Sequence, residues 1–116
     1  MRILIVDDDP FAGAMAEAIL DAEGHDCLLV ESGIEALDAV AMEHNGFDLV
    51  ISDMHMPLLS GLDLFREMRD RGDATPFVLL TGDDPEPLRA QAPGLAACLI
   101  KDASLEATLP AAVAGL

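Results

Sequence analysis

Residues 3–10 read ILIVDDDP, an unbroken aliphatic run that ends in three aspartates and a proline. Four aliphatic residues in succession fit a strand that is buried on both faces, as strands of parallel sheets are. Asp9 and Pro10 are typical of a helix start, with Asp9 as the N-cap and Pro10 at the first helical position. The stretch therefore predicts a strand, a short acidic turn and a helix in direct succession.

The same alternation of strand and helix continues along the chain. Aliphatic runs predict four more strands, and turn or cap residues followed by helical periodicity predict four more helices, beginning at Ser32 or Gly33, after Gly61, at Asp84–Pro85 and at Ser104. Five strands alternating with five helices indicate an α/β fold with one doubly wound parallel sheet. The five predicted strands cover residues 3–6, 27–30, 47–52, 77–80 and 97–100.

The spacing of apolar residues predicts which face of a helix is turned toward the core. In the first helix, four apolar residues fall on one face, and in the second and last helices three each are expected to face inward. Pro110 lies beyond the first turn of the last helix, so a kink, a late start or fraying is expected there. The residues concerned are Phe11, Met15, Ile19 and Ala22, then Ile34, Leu37 and Ala41, then Leu105, Leu109 and Val113.

Composition limits the functions that the chain can have. Its 116 residues, 52% of them hydrophobic, suit one globular domain over residues 1–116 with no output domain. Twenty-two acidic against six basic residues give a net charge of -16, which disfavours direct binding to nucleic acid or to an anionic membrane. Both Cys27 and Cys98 lie in apolar runs without metal-ligand spacing, and no apolar stretch approaches the roughly 20 residues of a membrane span, so a cytoplasmic protein is expected.

Charged residues follow three of the predicted strands, at the point where each strand ends. Asp7 and Asp8 follow the first strand, Asp53 the third and Lys101 the fifth. Because the carboxyl ends of parallel strands meet at one edge of a sheet, these side chains should lie close together, where open α/β sheets bind ligands. Carboxylates that repel one another there would take up a proton or a cation. The sequence therefore predicts a metal ion with an anionic group beside it.

These residues resemble the site of response regulator receiver domains of two-component signalling systems, such as the chemotaxis regulators. Asp7 and Asp8 match the acidic pair of that family, Asp53 its phosphoacceptor, Thr81 its hydroxyl position and Lys101 its lysine. The loop after the third strand, DMHMPLLSG, fits the pattern D-x-x-M-P-x-x-[DS]-G. The resemblance covers nearly the whole chain and implies a flavodoxin-like sheet with strand order 2-1-3-4-5.

A receiver would accept a phosphoryl group on Asp53 from a histidine kinase or a histidine phosphotransfer protein. Mg²⁺ is the expected cofactor, because the site offers hard oxygen ligands and no thiolate. The resemblance implies that Asp8, Asp53 and the backbone carbonyl of His55 bind the ion directly and that Asp7 binds it through water. Such a chain is a signalling module that catalyses only its own phosphorylation and dephosphorylation.

The resemblance also implies how phosphorylation would be sensed. Lys101 would pair with Asp53 and later with a phosphoryl oxygen, to which Thr81 would also donate a hydrogen bond. Movement of Thr81 would carry the following loop with it and change the affinity for an unknown downstream protein. A monomer or a weak dimer is expected, because the fourth helix is short.

Three positions depart from the family pattern. Asp102 stands where receivers usually have a proline, often cis, and a cis bond before aspartate would cost about 2.5 to 4 kcal/mol, so a trans bond is expected. Cys98 replaces the aromatic residue whose rotamer commonly reports the state of the threonine. His55, two residues after Asp53, either tunes dephosphorylation or is an ordinary surface residue.

Two other functions remain open. The first is a receiver fold used as a scaffold, which Asp102, Cys98 and the short fourth helix favour. The second is a haloacid-dehalogenase-like phosphatase that attacks with Asp7, since DDD contains D-x-D and a strand ends in Thr81. Against the phosphatase, Phe11 is not Thr or Val, no acidic pair follows Lys101, and the chain has no room for a substrate cap.

Overall fold

The computed structural model, which describes residues 1–42 and 46–116, contains one five-stranded parallel sheet. The strand order is β2-β1-β3-β4-β5, so the predicted order is confirmed. β3 differs from the predicted segment: it begins two residues later and includes Asp53, while Phe47 is buried just before it. The strands are β1 (Arg2–Val6), β2 (Asp26–Val30), β3 (Leu49–Asp53), β4 (Phe77–Thr81) and β5 (Ala97–Ile100).

Five helices cover the two faces of this sheet in the described part of the chain. On one face, α1 and α5 pack against β-strand residues through Leu20 and Leu109, and on the other face α3 packs through Leu64 and Met68. α2 packs on the same face of the sheet as α3, through Leu37. The helices are α1 (Pro10–Asp21), α2 (Gly33–Met42), α3 (Gly61–Asp70), α4 (Glu86–Gln91) and α5 (Leu105–Ala114).

Side chains accept hydrogen bonds from backbone amides at the starts of three helices described here. The carboxylate of Asp9 accepts hydrogen bonds from the Phe11 and Ala12 amides at 3.0 and 3.4 Å, so the predicted N-cap is confirmed. Ser60 caps α3 by accepting from the Asp63 amide at 3.1 Å. The predicted start of α4, with Pro85 as its first residue, is one residue early, since the helix begins at Glu86. The Glu86 amide donates to the Asp84 carboxylate at 3.1 Å.

The buried face of α1 is not the predicted face of Phe11, Met15, Ile19 and Ala22. Phe11 is 74% and Met15 is 53% exposed, whereas Gly13, Ala16 and Leu20 are buried. A Cβ on Gly13 would lie 2.7 Å from a methyl carbon of Leu29, so the Leu29 side chain of β2 packs directly on Gly13 and would have to move to admit a larger residue. The small residues set the orientation of α1 and turn Phe11 and Met15 toward solvent.

A similar correction applies to α2, while α5 follows the prediction. Ile34 is 54% exposed and Ala41 is exposed, so of the three expected inward residues of α2 only Leu37 is buried. Leu109 and Val113 of α5 are buried, and the helix begins at Leu105 and continues through Pro110 to Ala114. The expected late start and fraying at the proline are therefore wrong. In the described residues, no helix is long and apolar enough to cross a membrane.

Candidate functional site

Three carboxylates meet at the carboxyl edge of the sheet. Asp7 directly follows β1, Asp8 follows Asp7, and Asp53 is the last residue of β3, the strand next to β1. One oxygen from each of the three lies within 4.8 Å of the other two. Asp7 and Asp53 are only 3% and 7% exposed, whereas Asp8 is exposed. Two buried carboxylates and one at the surface form a cluster that could hold a divalent cation with oxygen ligands.

Lys101, the only lysine of the chain, supplies the positive charge of the site. Its ammonium nitrogen lies 2.8 Å from Oδ2 of Asp7 and 3.4 Å from Oδ1 of Asp53. The Lys101 amide donates to the Thr81 carbonyl at 2.7 Å, which fixes the residue at the end of β5. The structure thus brings Lys101 to Asp53, as the sequence suggests, but places it nearer to Asp7.

The charges of the site do not balance. Burial raises the pKa of Asp53, and the Asp7 and Asp8 charges raise it further, although Lys101 acts in the opposite direction. Burial lowers the pKa of Lys101, but its hydrogen bond to Asp7 and the charges of Asp53 and Asp7 leave that pKa above the ordinary value. The lysine is therefore firmly protonated, and the carboxylates keep an excess of negative charge that a cation would relieve.

Thr81 is the last residue of β4, which pairs with β3, the strand that ends in Asp53. Thr81 is only 1% exposed. Its hydroxyl oxygen accepts a hydrogen bond from the Asp83 amide at 3.2 Å. The Asp83 carboxylate in turn lies 3.3 Å from Nε2 of His55, which is exposed on the loop after β3. Sequence analysis missed Asp83, and its only signal was an acidic residue two positions after a strand-ending threonine.

The loop between β3 and α3 is closely packed against Asp53. The Gly61 amide donates to the Met54 carbonyl at 2.9 Å, and a Cβ on Gly61 would lie 2.3 Å from the Asp53 carbonyl oxygen. Only glycine fits there, which explains the glycine that closes the loop pattern. Leu58, at φ +68°, is 99% exposed. A left-handed leucine is uncommon and shows how sharply the loop turns.

The structure also shows the surroundings of Asp102 and Cys98, two positions that depart from the expected pattern. The Lys101–Asp102 bond is trans, as expected, since the described residues contain no cis peptide bond. The Asp102 carboxylate accepts from the Ser104 amide at 2.8 Å, so Asp102 forms the turn between β5 and α5. Cys98 is fully buried, on the sheet face that α3 covers. Its side chain is a thiol without a ring, so Cys98 itself cannot act as an aromatic gate.

Fold and site together define a doubly wound α/β domain with an acidic, lysine-paired site at the carboxyl edge of its sheet. The chain belongs to the response regulator receiver domain family, which it matches over residues 3–113. The expected family and the flavodoxin-like fold are therefore confirmed. Receiver domains are signalling modules and not classical enzymes.

Individual relatives agree with this assignment. The chain is 39% identical over 84 residues to "Response regulator MprA" of Mycobacterium sp. (strain KMS), an alignment that covers 72% of this chain and 36% of that protein. It thus spans about a third of the length of the curated relatives that it matches.

Solved structures similar to this chain include two that cover nearly all of it. One is response regulator TrrA from Thermotoga maritima in complex with Mg²⁺ and BeF, with a TM-score of 0.82 and 30% identity, covering 98% of this chain and 96% of that one. The other is chemotaxis protein CheY4 from Vibrio cholerae, with a TM-score of 0.84 and 28% identity, covering 99% and 98%.

Proposed function

We propose that the chain accepts a phosphoryl group on Asp53, in a Mg²⁺-dependent reaction, from a histidine kinase or a histidine phosphotransfer protein. The observation that carries the proposal is the position of Asp53, which is buried beside both the Lys101 ammonium and the Asp7–Asp8 pair. Phosphoryl transfer needs mainly in-line positioning and neutralisation of charge on the equatorial oxygens. Asp53, with the fixed Lys101 ammonium on one side and a site for Mg²⁺ beside it, would supply both the positioning and the neutralising charge.

The ligands proposed for the metal are Asp8, Asp53 and the His55 backbone carbonyl, with Asp7 acting through water. The fit rests on the cluster of carboxylate oxygens within 4.8 Å and on the raised pKa of Asp53. The water-mediated role of Asp7 is supported by its existing partners, since its two oxygens accept from the Asp9 amide at 2.9 Å and from Lys101 at 2.8 Å. When bound, Mg²⁺ would neutralise the charge that the phosphoryl group brings.

The other steps belong to side chains of this protein. A carboxylate oxygen of Asp53 attacks phosphorus, and the bond from phosphorus to the donor imidazole nitrogen breaks and returns its electron pair to that nitrogen. Lys101 holds Asp53 before transfer and a phosphoryl oxygen afterwards. The Thr81 hydroxyl donates to another phosphoryl oxygen, and because its oxygen accepts from Asp83, the loop that follows is tied to its position.

Signalling partners follow from this chemistry. The donor is a protein with a phosphorylated histidine, and the receptor of the signal is a downstream protein that recognises the changed surface. With a net charge of -16, the chain itself is proposed not to bind nucleic acid or a membrane. We further propose a single receiver unit over residues 1–116, acting in the cytoplasm as a monomer or a weak dimer.

A comparison of two phosphoryl donors tests the proposal. Phosphoramidate carries the P–N bond of a phosphohistidine, whereas p-nitrophenyl phosphate is an ester that a phosphatase would hydrolyse. With Mg²⁺, we expect phosphoramidate to label Asp53, detected by borohydride reduction and peptide mass spectrometry, with Asp38→Asn labelled like the wild type. Sustained release of p-nitrophenol that Asp7→Asn abolishes would support the phosphatase instead. Absence of both reactions with Mg²⁺ bound would support a scaffold.

A further inference from the structure

We propose that Arg89 takes over the role of the missing aromatic residue by holding α4 in its resting position against β5. In the resting structure the Arg89 guanidinium donates to the Cys98 carbonyl oxygen at 2.6 Å and also contacts the Glu86 carboxylate. We call the contact between Arg89 and the Cys98 carbonyl the Arg89 latch. The inference rests on the proposed phosphorylation of Asp53, because that event would open the latch.

α4 is held less firmly than the other helices. None of its six residues, all of which the structure describes, is buried, and the side-chain hydrogen bond at its start comes from Asp84, outside the helix. Leu88 contributes a partly buried side chain to the core. An element with so little buried apolar surface opens at low cost, and a single well-placed polar contact can decide its position. The contact from Arg89 to β5 is therefore a substantial part of the attachment.

The acceptor of the latch lies on an edge strand. In the described sheet β5 pairs with β4 alone, and Cys98 lies beside Leu79 of β4. A charged donor at 2.6 Å makes a stronger hydrogen bond than a neutral one. The guanidinium thus couples α4 to the backbone of the very residue at which an aromatic side chain is missing.

Space for movement exists at the same place. A cavity of about 230 Å³ between α4 and β5 is lined by Arg89 and Cys98 together with Ala92, Pro93 and Leu95 to Ala97. The Arg89 side chain can therefore rotate away from the Cys98 carbonyl without displacing the core.

Thr81 provides the connection to phosphorylation. Only the loop of residues 82–85 separates Thr81 from α4, and the Asp83 amide donates to the Thr81 hydroxyl oxygen at 3.2 Å. When Thr81 moves toward a phosphoryl oxygen, this hydrogen bond pulls the loop and shifts the start of α4. The shift withdraws Arg89 from Cys98, which frees both α4 and the backbone of β5 for a partner.

Hydrogen exchange of α4, with beryllofluoride as the phosphoryl mimic, tests the latch. The Arg89 and Ala92 amides donate to the Pro85 and Leu88 carbonyls at 3.0 Å and report whether α4 is formed. In the wild type we expect both amides to exchange severalfold faster once Mg²⁺ and beryllofluoride are bound. In Arg89→Ala they should exchange fast from the start, and the apparent affinity for beryllofluoride should rise by roughly three- to tenfold, since no latch opposes the bound state.

Controls separate the latch from a general effect on folding. Glu86→Gln keeps the contact between Arg89 and Cys98 and should resemble the wild type, while Arg89→Lys, which lacks the fork, should fall between wild type and Arg89→Ala. Faster exchange in Arg89→Ala without a gain in affinity would mean that Arg89 is only structural and would overturn the latch.

A ¹⁹F spectrum of bound beryllofluoride distinguishes failure of the latch from failure of the proposed function. A bound signal with exchange and affinity unchanged in Arg89→Ala would refute the latch alone. If the wild type with Mg²⁺ gives no bound signal, the proposed function fails and the latch fails with it.

Discussion

The ionised carboxylate of Asp53 lowers the stability of the folded chain by an amount that depends on pH. Since its pKa is raised in the folded chain by burial and by Asp7, the ionised form is less favourable folded than unfolded. That cost is present above the folded pKa and disappears as the pH falls below the ordinary value of 3.8. Without divalent ions, Asp53→Asn should therefore raise the melting temperature at pH 7, and the gain should shrink on acidification toward pH 3.

The matched control for this experiment is Asp38→Asn, which removes the same charge from an exposed site on α2. A general benefit of lowering the net charge would appear in both variants. Equal melting curves for the two variants across the pH range would contradict the account of Asp53.

Lys101 should compete with a metal ion for the same negative charge. In Lys101→Met the repulsion between ammonium and Mg²⁺ is lost, so Mg²⁺ should bind about three- to tenfold more tightly by calorimetry. Phosphorylation of Asp53 should nevertheless slow, because one contact to the phosphoryl oxygens is missing. Arg66→Met makes the same change of charge on the exposed side of α3 and should alter neither quantity. Weaker Mg²⁺ binding in Lys101→Met would show that the lysine organises the ligands instead.

The two thiols should be unreactive in the native protein. Burial and the nearby Asp21 charge raise the pKa of Cys27 from 9.0 to about 11, and burial raises the pKa of Cys98. Cys27 then carries about a hundred-fold less thiolate at pH 8 than an ordinary thiol, and the thiolate is the reactive form. Labelling with an aromatic disulfide should be slow for the native chain and fast in urea. Rapid native labelling of Cys27 would contradict this environment.

At the scale of the elements, α1 shows where periodicity misleads. Phe11 and Met15 share a helical face, yet Gly13 and Ala16 are buried, and the Leu29 side chain of β2 packs directly on Gly13. A hydrophobic pattern ranks faces by apolar size and cannot detect that a close contact requires small residues. The same limit explains why Ile34 of α2 is exposed.

The orientation of α1 leads to a prediction of stability. Phe11→Ser should change the free energy of unfolding by less than about 0.5 kcal/mol, since the ring is 74% exposed. Leu20→Ala, on the opposite face and fully buried, should cost about 2 to 5 kcal/mol. Urea denaturation of both variants checks the pair. Similar losses for the two would mean that α1 is rotated relative to the structure.

For the molecule as a whole, the sheet was more predictable than the details of the site. Parallel strands buried on both faces are continuous aliphatic runs, so their ends and the residues Asp7, Asp53 and Lys101 could be located from the sequence. The nearer pairing of Lys101 with Asp7, and the contact from Asp83 to Thr81, depend on side-chain directions that strand ends do not specify. Sequence reasoning therefore predicted the edge and the charged residues that meet there but not the hydrogen bonds within it.

The intact mass after incubation with acetyl phosphate and Mg²⁺ tests the central claim most directly, because it needs no partner protein. Wild type, Asp53→Asn and a sample with a chelator are compared. We predict one added phosphoryl group in the wild type alone, lost both without metal and without the Asp53 carboxylate. An adduct that persists in Asp53→Asn, or no adduct in the wild type while Mg²⁺ and beryllofluoride bind, would contradict the account.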